Sequence, residues 1–522
     1  MRMTRRGILK FGLAGATTLG TGLVAPSIVL AEGRRPVIDG GVMSGDMLAD
    51  RAMLWSRVDR PARMMIELAD NPEFRAARQL VGPEALPAGG LTAKLDATGL
   101  GGMDEVHYRV RFTALGDHRA LSEPVTGRLR LPPQTRRDVR FVWSGDTAGQ
   151  GWGIDEARGG MTTYATMLDQ RPDFFIHSGD TVYADGPLKE SVELADGTLW
   201  RNRMTPEKLK VAETLQEFRG QHAYNLLDAN VRRLNAEVPM LAQWDDHETT
   251  NNWYPGELLE DDRYTEKNAS LLAARGRQAF LEYTPLRQRP EAPGRIHRRF
   301  PYGPGLEVFM LDMRTFRAAN DRNRQANGAD LLGAEQLRWL LNALRDSTAT
   351  WKVIASDMPI GLVVRDGERF EAVANDEGGQ PLGREQEIAR LLKAIRDEAI
   401  HNVVWLTADV HYTAAHHYSP ERASFKDFAP FWEFVSGPLH AGTFGPGELD
   451  ATFGPEVVFQ KAPPEGQANL PPSDGYQFFG QVDLDGESET LTVTLKDSAG
   501  QSLHRQVLEP HRACPAPAAG RR

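Results

Sequence analysis

The sequence predicts an α/β domain preceded by an all-β sandwich. Three observations carry that expectation. Residues 35–132 hold short runs of period two and no long helical period. From about Asp138, strand-like runs alternate with amphipathic helices. Several of those later runs end in carboxylates or imidazoles. Period two sends successive side chains to opposite faces of a strand, whereas apolar residues three and four apart mark one face of a helix. Alternation of the two periods is the pattern of sheets layered with helices.

Taken in order, residues 1–31 read as an export signal. Thr4-Arg5-Arg6-Gly7-Ile8-Leu9-Lys10 resembles the twin-arginine signature, and a mildly apolar run rich in Gly, Ala and Thr follows. Val29-Leu30-Ala31 fits a small-residue cleavage site before Glu32. The run carries Pro26 and too much Gly and Thr for a membrane anchor. The expectation is a periplasmic or secreted protein, delivered by the twin-arginine machinery, with no transmembrane anchor in the mature chain.

Residues 52–57, 64–68 and 106–112 are strands of the β unit over 35–132, a sandwich of fibronectin or immunoglobulin type. Tandem prolines make 131–135 a linker, because proline cannot donate to a ladder. The α/β domain spans 138–510. Strands are expected at 139–143, 173–177, 240–244, 306–311, 351–355, 403–406 and 431–435. Helices are expected at 160–170, 206–234, 268–283, 334–346 and 385–397. In the long 206–234 stretch, Leu209, Ala212, Leu215 and Phe218 share helical spacing. Runs at 477–484, 490–495 and 503–508 read as an antiparallel finish, and 511–522 as a flexible tail.

The 522 residues carry a formal charge of −10. Removing residues 1–31 takes away Arg2, Arg5, Arg6, Lys10 and no acid, which brings the charge to −14. That balance argues against nucleic acid as a stable partner and against anionic membranes. The single cysteine, Cys514, excludes an intramolecular disulfide and a cysteine zinc site.

The chemistry gathers at strand ends. The apolar run 173–177 leads into Gly179-Asp180-Thr181-Val182-Tyr183. Glycine permits a sharp turn there, at the end of a strand where α/β folds bind ligands. A carboxylate can bridge two metal ions, and a phenolate can bind the harder of them. The plainer alternative is an Asp capping the next turn with a Tyr packed on it. Three other runs end alike: Asp146 after 141–144, Asp245-Asp246-His247-Glu248 after 241–244, and Asp409 and His411 after 403–408. So many buried acids would repel one another unless cations neutralise them.

Gly145-Asp146, Gly179-Asp180-Thr181-Val182-Tyr183, Asp245-Asp246-His247-Glu248 and Ala408-Asp409-Val410-His411 together resemble the calcineurin-type metallophosphoesterases. More closely, they resemble the PhoD-like alkaline phosphatases and phosphodiesterases. Gly41-Val42-Met43-Ser44-Gly45-Asp46, Trp55-Ser56-Arg57, Leu311-Asp312-Met313-Arg314 and the segments 354–359 and 434–438 match as well, so the resemblance covers nearly the whole chain. It implies a layered metallophosphoesterase sandwich of β-sheets flanked by helices, and a centre of two ions. The first ion would be held by Asp146, Asp180, Tyr183 and His411. The second would be held by Asp180 as the bridge, Asp246 and Asp409. The chain departs from the pattern in places. PhoD-like enzymes often carry a cysteine in the first-strand motif, where this chain has Asp146. Calcineurin-type enzymes carry Asn and His at the places of Asp246 and Asp409, and a further His near 354–359, where this chain offers only Asp357.

An almost all-oxygen second site suits Ca²⁺, Mg²⁺ or Mn²⁺. Phenolate and imidazole at the first suit Fe³⁺, as in purple acid phosphatases. The expected pair is Fe³⁺ plus Ca²⁺, with Zn²⁺, Mn²⁺ or Mg²⁺ as alternatives. The implied reaction is hydrolysis of phosphomonoesters and/or phosphodiesters by a metal-bound hydroxide, between ions about 3.5–4 Å apart. His247 would protonate the leaving oxygen. Arg314 would stabilise the phosphoryl charge or, instead, pair with Asp312. Asn251, Asn252 and Trp253 are read as the pocket rim, and His416 and His417 as mouth or surface residues. Two rivals stand beside this reading: a phosphotriesterase or lipid-headgroup phosphodiesterase, and an envelope protein that binds structural Ca²⁺ and a polymer without catalysis. Tyr183, His247 and His411 argue against the last, since a structural Ca²⁺ site needs neither phenolate nor imidazole.

Overall fold

The computed structural model describes residues 35–511. The expected export signal, Cys514 and the tail beyond His511 lie outside them. Two large mixed sheets stack face to face. The first runs Ser502–Leu508, Leu491–Asp497, Phe478–Leu484, Val139–Ser144, Phe174–Ser178, Met240–Gln243, Ile38–Leu48, Arg51–Val58 and Thr92–Thr98. The second runs Arg298–Pro301, Leu306–Met310, Trp351–Ala355, Val403–Thr407, Phe431–Val435, Thr413–Tyr418 and Pro455–Lys461. The centre of each is parallel: the strands ending at Ser144, Ser178 and Gln243 in one, and at Met310, Ala355, Thr407 and Val435 in the other.

Residue parity decides the faces. Phe141, Trp143, Phe174, Ile176 and Leu241 share an interior with Val308, Met310, Val353, Ala355, Val404 and Leu406 of the opposite sheet. Val142, Phe175, Met240 and Ala242 face the other way and pack with the helices Thr162–Asp169, Ala229–Glu237 and Ala269–Tyr283. Phe309, Ile354 and Trp405 pack outward on Gly333–Asp346 and Glu385–Asp397. Each fully buried Leu, Ile or Phe in these layers contributes roughly 1.5–3 kcal/mol of transfer free energy. Polar ties cross the sandwich near the strand ends. Gln243 Nε2 donates to the carbonyls of Leu311 and Ala355, both at 2.9 Å, and Trp143 Nε1 donates to the Thr407 carbonyl at 3.2 Å. They satisfy buried carbonyls and fix the two sets of strand ends relative to each other.

The N-terminal β unit is not closed on itself. Ala62–Ala69, Arg78–Ala85, Glu105–Ala114, Asp117–Leu121 and Val125–Arg130 form a separate five-stranded sheet. Ile38–Leu48, Arg51–Val58 and Thr92–Thr98 instead extend the first large sheet, joined by the parallel pairing Gly45↔Met240. Gly45 is required there, because a Cβ would stand 2.3 Å from the Met240 carbonyl oxygen. Leu131, Pro132 and Pro133 are buried rather than stretched between bodies, with Pro133 seated against Gly303.

The stretch 206–234 breaks where one helix was expected. It forms a turn at Pro206–Lys208 and helices Leu215–Asn225 and Ala229–Glu237. The Thr214–Glu217 capping box starts one helix, and Asp228 caps the next by accepting from Asn230 N and Val231 N. Leu209 is 65% exposed, so its helical spacing was coincidental. Among the described residues no helix is long and apolar enough to cross a membrane.

Candidate metal centre

Each expected ligand follows its strand by two to five residues, and the parallel strands deliver these turns to one place. Asp146, Asp180, Asp409 and His411 all have left-handed backbone, with φ of 67°, 51°, 67° and 60°. That conformation costs a non-glycine residue about 1–2 kcal/mol and persists only where its surroundings over-determine it. The turns are cross-stitched: Thr147 N donates to the Asp180 carbonyl at 2.9 Å, and Ala408 N to the Asp357 carbonyl at 2.8 Å. Gly179, at φ +97°, lets them close, since a Cβ would meet Asp245 Cβ at 2.5 Å.

Glu248 is the organising acid that the motif reading left without a role. It is fully buried and accepts from Asp180 N at 3.2 Å, Asp245 N at 2.7 Å, Thr181 N at 2.5 Å and Thr181 Oγ1 at 2.6 Å. One carboxylate thus fixes the backbone of two ligand turns. Burial pushes its own pKa up to about 7.

Three groups of donor atoms lie within 4.8 Å of one another: Asp146, Asp180 and His411; Asp180, Asp246 and His247; Asp245, Asp246 and Asp409. Asp180 belongs to two groups, the position of a bridge. The Tyr183 hydroxyl is 2.8 Å from His411 Nε2, and His411 Nδ1 is fixed by a short hydrogen bond to the Gly442 carbonyl at 2.5 Å. The sequence-derived residues Asp146, Asp180, Tyr183, Asp246, His247, Asp409 and His411 are therefore neighbours. Asp245 is an addition that the Asp-Asp pair in the sequence signalled but did not assign.

The electrostatics identify what this cluster needs. Burial, then the neighbouring acids, hold Asp146, Asp180 and Asp409 well above the usual carboxylate range. Asp246 differs: burial opposes its charge, but His247 and Arg314 hold it down at about 2. Asp146 Oδ2, Asp245 Oδ2, Asp246 Oδ1 and both oxygens of Asp357 are buried with no hydrogen-bond partner. Burial also brings His411 down to about 4, which keeps its imidazole neutral and able to ligate. Unpartnered carboxylate oxygens, a phenol and a neutral imidazole fit hard cations.

His247 sits at the edge of the cluster. Its Nδ1 is 2.7 Å from Asp185 Oδ1, its backbone N donates to Asp180 Oδ1 at 3.2 Å, and its ring packs 4.2 Å from that of Tyr183. Burial opposes its charge, but Asp185, Asp246 and Asp180 together raise its pKa well above the ordinary value. Asp185, two residues past Tyr183, escaped the sequence reading because its contact with His247 spans 62 residues.

Arg314 requires a correction. It is wholly buried and faces no open cleft. Its guanidinium pairs with Asp245 at 2.5 Å and with Glu371, and lies 3.6 Å from Asp357 and 3.9 Å from Asp246. It is a counter-charge beneath the acids, not a group that reaches a phosphoryl oxygen. Its expected partner Asp312 accepts instead from Trp244 Nε1 at 2.9 Å and from the backbone of Arg314 and Thr315. Glu371 and Arg317 complete this buried network, at 3.3 Å. Two more readings change. Trp253 is core, packed on Trp244 at 5.7 Å. His416 is fully buried, 3.0 Å from Glu433. His417 keeps the surface reading, half-buried with its ring 4.9 Å from that of Trp432. Asn252 does serve the site, its backbone N donating to Asp246 Oδ2 at 2.6 Å.

A cleft of ≈ 570 Å³ opens over Asp180, Asp246, His247, Asp409 and His411. Two sheets whose parallel strand ends gather uncompensated acids with imidazole and phenol define a candidate metallohydrolase centre. Comparison with known proteins narrows the class. The family model described as PhoD-like phosphatase matches residues 141–495, and that of its N-terminal domain matches 24–133. Alkaline phosphatase D of Bacillus subtilis (strain 168) is 29% identical over 431 residues, covering 78% of this chain and 70% of that protein. The solved structure of PhoD superposes with a TM-score of 0.66 at 22% identity, covering 90% of this chain and 89% of that one. The purple acid phosphatase PPD1 from yellow lupin (Lupinus luteus) seeds superposes with a TM-score of 0.54 at 11% identity, covering 92% and 75%. The chain belongs to the PhoD-like phosphatase family and is a hydrolase of phosphoric esters.

Proposed function

We propose that this protein is an exported phosphomonoesterase and/or phosphodiesterase with a two-metal centre of Fe³⁺ and Ca²⁺. The observation that carries the metal reading is the set of buried, unpartnered carboxylate oxygens on Asp146, Asp245 and Asp246, brought together from two strand ends. Asp146, Asp180, Tyr183 and His411 would hold the first ion, and Asp180, Asp246 and Asp409 the second. When bound, such a pair activates water and neutralises the oxygens of a phosphoryl group. The protein's own part is to orient and to supply a proton. Asp185 fixes His247 Nδ1, which leaves Nε2 to carry the proton given to the leaving oxygen. Glu248 holds the Asp180 and Asp245 turns, and Arg314 offsets the charge of Asp245, Asp246 and Asp357 from below. Export rests on the twin-arginine run and the small-residue site before Glu32. A mature protein recovered from the cell envelope or medium with Glu32 at its start tests it; one retaining Met1 there would refute it.

The assay for catalysis is hydrolysis of bis-p-nitrophenyl phosphate and p-nitrophenyl phosphate, with chelator and with each metal restored. Turnover of at least one, lost on chelation, is expected. Natively loaded protein is also expected to show a visible charge-transfer band that disappears in Tyr183→Phe. A colourless, iron-free enzyme at full activity would exclude iron and leave the remaining ions.

A further inference from the structure

A second pocket, of ≈ 110 Å³, lies between the end of Ile38–Leu48 and the edge strand Arg298–Pro301, and shares no residue with the cleft over the acids. Its wall holds Arg287, Arg289, Arg295, Arg298 and Arg299 against a single acid, Asp46. In a chain of net charge −10 that is a local reversal of sign. Two of these arginines are paired. Arg298 forks onto Asp46, with Nε at 3.1 Å and Nη2 at 3.0 Å, and Arg287 forks onto Asp96, with both nitrogens at 3.0 Å. The other three have donors to spare. Arg299 gives Nη1 to the Ala343 carbonyl at 3.1 Å but stands 3.6 Å from Glu307. Arg295 stands 3.6 Å from Glu335, whose side chain is 74% exposed. At that separation neither carboxylate accepts a hydrogen bond. Among the described residues the Arg289 guanidinium has no hydrogen bond or ion pair.

His297 adds a further donor to the same wall. It is 2% exposed, with its ring 4.9 Å from Trp339 and 5.9 Å from Phe316. Arg295 Nε can only donate, and it donates to His297 Nε2 at 2.8 Å, so the hydrogen of the neutral ring is on Nδ1. Burial, then Arg295, bring His297 down to about 4, which keeps the ring neutral. Nδ1 is buried and has no partner. A buried N–H in that position is costly until an acceptor arrives.

We propose that this pocket is a second anion site, taking one tetrahedral oxyanion of phosphate type, either inorganic phosphate or the phosphate end of a larger molecule. The site stands apart from the metal centre and from the hydrolase reading. A phosphate group accepts along several directions at once, and guanidinium forks match its oxygens in pairs. Here the donors come from three places: Arg289 and Arg295 on the loop 287–295, Arg299 on the edge strand, and His297 between them. The paired arginines hold the wall in place, and Arg287 N donates to Asp46 Oδ2 at 2.7 Å, which ties the start of the loop to the same acid. A recess lined by one sign of charge also concentrates the opposite ion.

Equilibrium dialysis of the natively loaded enzyme against radiolabelled phosphate tests the site. Two classes of bound phosphate are expected, one at the metal centre and one here, the latter with a Kd of about 1 mM or tighter. Arg289 is exposed, so Arg289→Glu leaves the fold in place. That variant should weaken the second class at least about tenfold and keep the first, with kcat/KM for p-nitrophenyl phosphate as in the wild type. Arg289→Lys should recover part of the loss. Glycerol phosphate separates the two sources: binding as tight as that of inorganic phosphate assigns the end of a larger molecule, and weaker binding assigns the free ion. Phosphate binding that Arg289→Glu leaves unchanged overturns the site, as does acetate held there as tightly as phosphate. Either result leaves the hydrolase reading standing, whereas an enzyme without turnover that still loses one phosphate class in Arg289→Glu sinks that reading and keeps the site.

Discussion

Asp180→Asn is expected to lower phosphoester turnover by on the order of 10³-fold or more, about 4 kcal/mol of transition-state stabilisation. Asp180 is the one acid shared by the Asp146–His411 group and the Asp246–His247 group. An amide cannot bridge two cations, so metal content should fall with activity. The change also has a sign in stability. Burial first, then Asp246 and Glu248, hold the Asp180 carboxyl well above its unfolded value. A carboxyl raised in the folded state stabilises the fold only below its unfolded pKa of about 4, and that contribution is lost as pH rises through the folded value. Metal-free wild-type protein should therefore lose thermal stability from about pH 4 upward, and added divalent ion should restore it. Metal-free Asp180→Asn should lose less over the same window. Retention of a tenth of the activity, or a metal-free Tm that rises between pH 5 and 8, would falsify the bridging role.

The second large effect belongs to His247. His247→Gln should cost about 10²–10⁴-fold on diesters with an alkyl leaving group, and less than about tenfold on p-nitrophenyl esters, whose leaving oxygen needs little protonation. Asp185→Asn removes the strongest of the carboxylates that raise His247. With that support gone, the imidazolium loses its proton at lower pH, so the alkaline limb of the rate profile for alkyl substrates moves down. The p-nitrophenyl profile should move little. Equal losses on both leaving groups would make His247 a ligand or a spacer instead of a proton donor.

Predictions of this kind were available from the sequence because each ligand sits within five residues of a strand end. The apolar runs 141–144, 173–177, 241–244 and 403–406 name strands, and the polar residues after them name turns. A strand and the turn that follows are local, so period and residue type suffice to place Asp146, Asp180, Asp246, Asp409 and His411. The alternation of strands and helices was legible for the same reason. The Glu385–Asp397 helix appears where the spacing put it. The broken 206–234 stretch was less legible, because a capping box and an Asx cap outweigh a weak apolar periodicity.

What the sequence by itself determined is thus the set of strand ends and the chemistry each carries. What only the tertiary structure decided is who meets whom across the sandwich. Arg314 carries a cation that reads equally well as catalytic or structural. Only its position beneath Asp245, Asp357 and Glu371, from three other parts of the chain, makes it a buried counter-charge. Asp185 becomes the partner of His247 for the same reason. The joining of Ile38–Leu48 to Met240–Gln243 was equally out of reach. Local periodicity fixes the face and end of each element, but distances between elements are set by packing that no local pattern encodes.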